Sequence, residues 1–219
     1  MKLINEKKTG YSIYNKEVKK RTKENTLSEL YPKLPNYKFD IIYADPPWHY
    51  NGKLQFDKSS KSKEKIDINK KIFVSTAAFK YPTLKLEELK KLQVNNISKK
   101  DCILFMWTTN PHLEQALELG RAWGFEYRTV AFVWNKMVHN PGQYNLSYCE
   151  LCLLFKSGKI PNPRGARNVK QLINVKRKNH SEKPIEVLDS INQMFPQQKK
   201  IELFARNKTE GWDVWGNEV

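Results

Sequence analysis

Three strand-length runs constrain this chain more than anything else in it: FDIIYA (39–44), DCILFMWTT (101–109) and KKIELFAR (199–206). Each is shorter than an ordinary helix. The second is apolar without alternation, the pattern of a strand buried on both faces. Segments of helical period lie between them. TLKLEELKKL (83–92) carries leucines at 84, 86, 89 and 92, which predicts a helix from Leu86 with Thr83 as its N-cap. NPHLEQALELGRAWGF (110–125) offers Asn110 as N-cap, Pro111 at the first helical position, and Gly120 or Gly124 near the end. SEKPIEVLDSINQMF (181–195) sets Ile185, Leu188, Ile191 and Phe195 on one face of a further helix. YRTVAFVWNK and YCELCLLFKSG read as two more strands, and GWDVWGNEV as a compact tail. Alternating strands and helices predict an α/β fold, a mostly parallel sheet with helices on both faces.

The rest of the chain sets the boundaries. Residues 1–36 are polar and lysine-rich and read as a basic N-terminal arm. Residues 37–219 read as a single domain, a size that one core can organise. A lysine-rich insert at 51–72 and a basic loop at 157–180 interrupt it.

In open parallel sheets, chemistry collects beyond the carboxyl ends of the strands. Asp45 follows one strand and Arg206 ends another, so both are expected in the same crevice. Asp45 begins Asp-Pro-Pro-Trp, residues 45–48. Two prolines remove two backbone donors and fix two φ angles, a costly way to make an ordinary turn. Their carbonyls still accept hydrogen bonds, so the Asp45 carboxylate and the Pro46 carbonyl can receive both protons of one amino group. Trp48 offers a flat face on which a base can stack, worth about 1–3 kcal/mol. Two fixed acceptors can draw an exocyclic nitrogen out of conjugation and bare its lone pair, and rigid prolines limit the reorganisation needed. Taken alone, the same four residues can also be a strand end and a turn.

The stretch ADPPW is similar to the catalytic tetrapeptide of amino-methyltransferases that modify adenine N6. Trp in the fourth position resembles the MT-A70 family in particular. HSEKPIEVLDSINQMFP, then KKIELFAR, then GWDVWGNE resemble that family's carboxyl-terminal signature, and the similarity runs over roughly residues 38–219. The resemblance implies a Rossmann-like methyltransferase fold in which the catalytic motif precedes the cofactor-binding strand. It also implies S-adenosyl-L-methionine as cofactor. In that reading Asp45 and Pro46 hold the amine, Pro47 stiffens the corner, and Trp48 stacks on or walls the adenine. The backbone ending at Ala44 runs past the cofactor, as does Phe204. Lys183 contacts cofactor or substrate, Glu202 and Arg206 contact the adenosyl, ribose or methionine parts, and Asn217 and Glu218 the ribose. The turn after the cofactor strand reads FARN, with Ala205 in place of a glycine, which suits it only at negative φ.

Lys and Arg number 39 against 23 Asp and Glu, a formal charge of +16. Such a balance points to a polyanion, most simply nucleic acid; a solvated lysine surface is the plainer alternative. Lys61 and Lys63 in the insert, with Arg164, Arg167, Lys176, Arg177 and Lys178 in the later loop, are the candidate phosphate contacts. An adenine must leave its stack to reach Asp45, so base flipping or a single strand is implied. The chain's small size and its Lys, Asn and Ile richness lean towards DNA over RNA, as in the family's prokaryotic members. An RNA substrate, a non-catalytic nucleic-acid-binding subunit and cytosine N4 methylation are the alternatives. The resemblance also implies a homodimer or a heterodimer with a related subunit.

Cys149 and Cys152 have CxxC spacing, but no second pair completes a zinc site, so they read as buried reduced thiols and no metal is expected. Three cysteines without a signal peptide fit a reducing cytoplasm, and no apolar run approaches a membrane span. Trp107, Trp123 and Trp134 fall within strand or helix patterns and read as core.

Overall fold

The computed structural model describes residues 24–49, 55–56, 72–73, 82–141, 144–177 and 182–219. Lys61, Lys63 and Lys178 lie outside the described residues, as do most of the 51–72 insert and the first 23 residues of the arm. The described residues divide between two compact units, one within 1–30 and 47–85, the other within 31–46 and 86–219.

The second unit contains a seven-stranded sheet. In chain order its strands are β1 (Phe39–Ala44), β4 (Ser98–Thr108), β5 (Glu126–Pro141), β6 (Leu146–Ser157), β7 (Leu172–Asn174), β8 (Lys200–Leu203) and β9 (Asp213–Trp215). The spatial order is β7-β5-β6-β4-β1-β8-β9. Every neighbouring pair is parallel except the two that involve β6. The sheet is therefore mostly parallel, with one reversed strand in its middle. From β1 the chain crosses to β4 on one side, and from β8 it crosses to β9 on the other. The strand order thus reverses between β1 and β8, where ligands of open α/β sheets bind.

Helices cover both faces. α4 (Ile185–Met194) contributes Val187, Leu188 and Ile191 to a cluster with Tyr43, Phe105, Trp107, Phe132 and Trp134 from one face. On the other face Leu104 pairs with Phe155 across β4 and β6. There α3 (Leu113–Ala122) presses Gly120 onto the Phe155 ring so closely that a Cβ would lie 2.2 Å from it. Gly120 is thus a packing residue inside the helix. Gly124 is the terminator: it takes φ +88, its N–H bonds Arg121 C=O, and the Phe125 N–H reaches Gly120 C=O. Each large core side chain contributes about 1.5–3 kcal/mol by burial. Trp107, Trp123 and Trp134 are buried, as expected, and each indole N–H finds an oxygen: the Tyr43 hydroxyl, Leu89 C=O and Val175 C=O.

Some expectations need correction. α2 (Leu86–Lys90) begins at Leu86 as expected, but the hydroxyl of Thr83, the expected N-cap, meets His49 Nδ1 at 2.9 Å. Asn110 and Pro111 open a 3-10 turn (Asn110–His112) and leave α3 to start at Leu113. The basic loop at 157–180 contains the edge strand β7, and the tail contains the edge strand β9. β8 ends at Leu203, so Arg206 stands three residues past it.

The first unit includes the short helix α1 (Leu27–Leu30) and a two-stranded antiparallel sheet of β2 (Gln55–Phe56) and β3 (Ile72–Phe73). Trp48 bridges Leu84 there, and the Leu84 N–H donates to Pro47 C=O at 2.8 Å. The border between the units runs through the tetrapeptide, between Pro46 and Pro47.

Candidate active site

β1 and β8 are adjacent and in register, Ala44 opposite Leu203. Asp45 therefore emerges beside Phe204, and its N–H points to Leu203 C=O at 3.4 Å. β9 lies beyond β8, and the Ala205 N–H donates to Trp215 C=O at 3.0 Å. That pairing brings Asn217 and Glu218, both exposed, to the same strand ends. Ala44 is fully buried at the close of β1. The sheet thus gathers Ala44, Asp45, Glu202, Phe204, Arg206, Asn217 and Glu218 along one edge.

Ala205 keeps a negative φ, as its side chain requires, and the strain of the turn after β8 falls on Phe204, which takes a left-handed φ of 63. A bulky residue holds that conformation only where its surroundings enforce it. Here the rings of Tyr31, Trp123 and Trp215 pack around it. Gly216 lets the tail pass close, since a Cβ there would lie 2.0 Å from Ala205 C=O.

Lys183 arrives from the turn before α4. Its ammonium donates to Asp45 Oδ2 at 2.8 Å and lies 3.4 Å from Glu150 Oε2. It also sits 5.5 Å from the centre of the Trp107 ring, whose indole N–H holds the Tyr43 hydroxyl at 2.6 Å. Burial raises the Asp45 carboxyl above its ordinary pKa; Lys183 pulls it back, Glu150 raises it further and Arg206 lowers it. Burial also raises Glu202, to about 7, with Asp45 adding to the rise and the Thr209 hydroxyl opposing it from 3.1 Å.

Glu150 was not among the expected site residues. Within YCELC on a strand it resembles any solvent-side residue. The reversed direction of β6 is what delivers it to the carboxyl ends of β1 and β4. The same strand geometry explains the cysteines. Three positions apart on a strand, Cys149 and Cys152 point to opposite faces and cannot converge on one ligand. All three cysteines are free thiols; Cys102 and Cys152 are buried and Cys149 partly so. Among the described residues no cluster of His, Cys, Asp and Glu could hold a metal ion, and no helix is long and apolar enough to cross a membrane.

The basic candidates separate. Arg167 and Lys176 are exposed and Arg177 is half-buried. Arg164 instead lies over the Phe195 ring, 5.3 Å from its centre, with its Nε buried. Trp48 is only 5% exposed. A cavity of about 470 Å³ opens beside β9, lined among others by Lys33, Tyr37, Thr209 and Trp212. Neither Asp45 nor Lys183 lines it, so it is not the amine pocket.

A carboxylate and a cation at the switch point, with a second carboxyl on the adjoining strand, form a set of groups able to hold a zwitterionic nucleoside and orient an amine. The MT-A70 family model matches residues 39–218, most of the chain and all of these groups.

The chain belongs to the MT-A70 family.

Its MT-A70 relatives include Type II methyltransferase M.MunI of Mycoplasma sp, 60% identical over 213 residues, covering 97% of this chain and 91% of that protein. N(6)-adenine-specific methyltransferase METTL4 of Mus musculus is 28% identical over 203 residues, covering 83% of this chain and 37% of that protein. N(6)-adenosine-methyltransferase catalytic subunit METTL3 of Homo sapiens is 27% identical over 194 residues, covering 83% of this chain and 28% of that protein. The chain is thus an adenine methyltransferase of MT-A70 type. It spans nearly the whole of the bacterial relative and little more than a third, or less, of the two mammalian ones.

Proposed function

We propose that this MT-A70 protein transfers the methyl group of S-adenosyl-L-methionine to the N6 amine of adenine in DNA, at a specific site. The observation that carries this reading is Asp45 at the switch point, with Lys183 on its Oδ2 at 2.8 Å. The ammonium occupies one carboxylate oxygen and leaves Oδ1 as the acceptor for an incoming amine. Pro46 C=O is the second acceptor.

The cofactor, when bound, supplies an electrophilic methyl on a positively charged sulfur. The residues present suit such a molecule: Glu202 would accept from ribose hydroxyls, and Arg206 and Lys183 would serve an amino-acid carboxylate. Phe204 and Ala44 would contribute their backbone, and Asn217 and Glu218 would contact the ribose. Asp45 and Pro46 would hold both N6 protons and keep the nitrogen lone pair out of the ring system. The Asp45 carboxylate is placed to take the proton that the amine would give up when its new N–C bond replaces the cofactor's methyl–sulfur bond. Position and charge supply the acceleration, with no covalent enzyme intermediate.

DNA is favoured because the chain is 60% identical to a type II methyltransferase and covers 91% of it. Arg167, Lys176 and Arg177 would contact phosphates, and residues 37–219 would act as one methyltransferase domain. The test is transfer of labelled methyl groups into adenine of DNA and RNA oligonucleotides by wild type and Asp45→Ala. Wild type labels adenine in DNA, whereas Asp45→Ala binds cofactor and labels nothing. Normal turnover by Asp45→Ala refutes the assignment.

A further inference from the structure

Asp45 and Lys183 are the near end of a longer chain of charges. Lys136, on β5, is 2% exposed, and its ammonium lies 3.3 Å from Glu150 Oε1. Glu150 Oε2 lies 3.4 Å from Lys183, which bonds Asp45. Cation and carboxylate alternate over four residues from four separate segments, and all four are mostly buried. A buried lysine is costly unless paired, and Glu150 is the carboxylate paired with this one. Burial would raise the Glu150 carboxyl, yet Lys183 and Lys136 together outweigh it and hold it below its ordinary range.

The backbone around Lys136 is built to hold it. Glu150 pairs with Trp134 across the strands, so the two share the face that carries Trp107. Between Asn135 and Asn140 the register of β5 shifts, and Met137 adopts a left-handed φ of 55. The Asn135 side chain supports that kink by accepting from the Met137 N–H at 3.1 Å, and the Arg177 N–H donates to Lys136 C=O at 3.1 Å. Irregularities of this kind re-aim side chains beside active sites.

We propose that Lys136 and Glu150 are positioning residues: Glu150 competes with Asp45 for the Lys183 ammonium, and Lys136 sets how strongly it competes. The reasoning is electrostatic. Lys183 divides its ammonium between Asp45 and Glu150. Lys136 satisfies part of Glu150, so Lys183 stays with Asp45. Without Lys136, Glu150 draws harder on Lys183, and Asp45 holds its proton to higher pH. Without Glu150, Lys183 belongs to Asp45 alone and a like charge is gone, so Asp45 ionises at lower pH. Lys136 acts only through Glu150. The other ionisable groups near Asp45 are Arg206, Glu202, Tyr43 and Cys152, and none is altered in these variants.

The catalytic consequence rests on the amine-acceptor role proposed for Asp45, but the test does not. The Asp45 titration is read by carboxyl carbon NMR in the cofactor-free protein, with Asp45→Asn assigning the signal. Lys136→Met moves its midpoint up by about one unit, and Glu150→Gln moves it down by about as much. The double variant Lys136→Met/Glu150→Gln matches Glu150→Gln, since the mediator is gone. In transfer assays the acid limb of kcat follows the same shifts, while KM for the cofactor changes less than about twofold. A merely structural pair would lower stability without moving the midpoint in opposite directions. If Lys136→Met fails to fold, Glu150→Gln and the double variant decide, because a common downward shift supports the proposal and no shift overturns it. An unmoved midpoint in folded Lys136→Met also overturns it. Absence of adenine methylation by wild type overturns the proposed function instead and leaves the titration result standing.

Discussion

Replacing Glu202 by glutamine removes a carboxyl whose pKa burial lifts from 4.5 to about 7, Asp45 adding to the rise and Thr209 opposing it. Glutamine keeps the size and an acceptor oxygen for the Thr209 hydroxyl. Between pH 4.5 and 7 the unfolded chain has lost the Glu202 proton while the folded chain still holds it. Stability therefore falls as pH rises through that window and levels off above it. At about 1.4 kcal/mol per pH unit, the displacement from 4.5 to 7 amounts to about 3 kcal/mol. Urea unfolding followed by tryptophan fluorescence, from pH 4.5 to 8, measures it. Other groups titrate in both proteins and largely cancel in the difference. The stability of Glu202→Gln relative to wild type should grow by about 3 kcal/mol from the acid to the alkaline end. A difference that stays constant within about 0.5 kcal/mol, well below the linkage figure, refutes the reasoning.

Three further outcomes are expected. Lys183→Met leaves Asp45 and Glu150 facing each other without their shared cation, so urea unfolding at pH 8 should show a loss of about 3–5 kcal/mol, much of it regained at pH 5 as the carboxyls protonate; an equal loss at both pH values contradicts the ion-pair account. Gly120→Ala improves helix propensity by about 1 kcal/mol but drives a Cβ into the buried Phe155 ring, so thermal unfolding should report a net loss of about 1–3 kcal/mol, and a gain would show that the ring yields. Arg167→Ala with Lys176→Ala should weaken DNA binding without changing sequence preference and flatten the slope of log K against log salt by about 2; an unchanged slope removes them from the phosphate contacts.

How much was legible follows from where each signal lies. β1, β4 and α4 announce themselves because their apolar residues answer to one core. Asp45, Arg206 and the crevice follow from chain direction alone, since a strand end in a parallel sheet is already an address. β7 and β9 are three-residue edge strands, held by backbone bonds to one neighbour, and nothing in LIN or DVW marks them apart from loop. The reversal of β6 has no local signature either, and with it Glu150 stays hidden. A charged residue inside an otherwise apolar strand, as in YCELCLLF, is the signal that could have raised it. Lys136 closes a predicted strand and looks like solvent-facing punctuation; it alternates with Phe132 and Trp134 and so shares their buried face. Nothing in the sequence marks Phe204 as left-handed, because that backbone is expected of Gly or Asn, and three packed rings override the preference here.

The central claim is that Asp45 presents an adenine amine in DNA for methylation. Mass spectrometry of nucleosides from the DNA and RNA of a host expressing wild type or Asp45→Ala tests it most directly. The account predicts N6-methyladenine in DNA with wild type and none above background with Asp45→Ala. N4-methylcytosine in its place, methyladenine in RNA alone, or equal methyladenine with both proteins would contradict it.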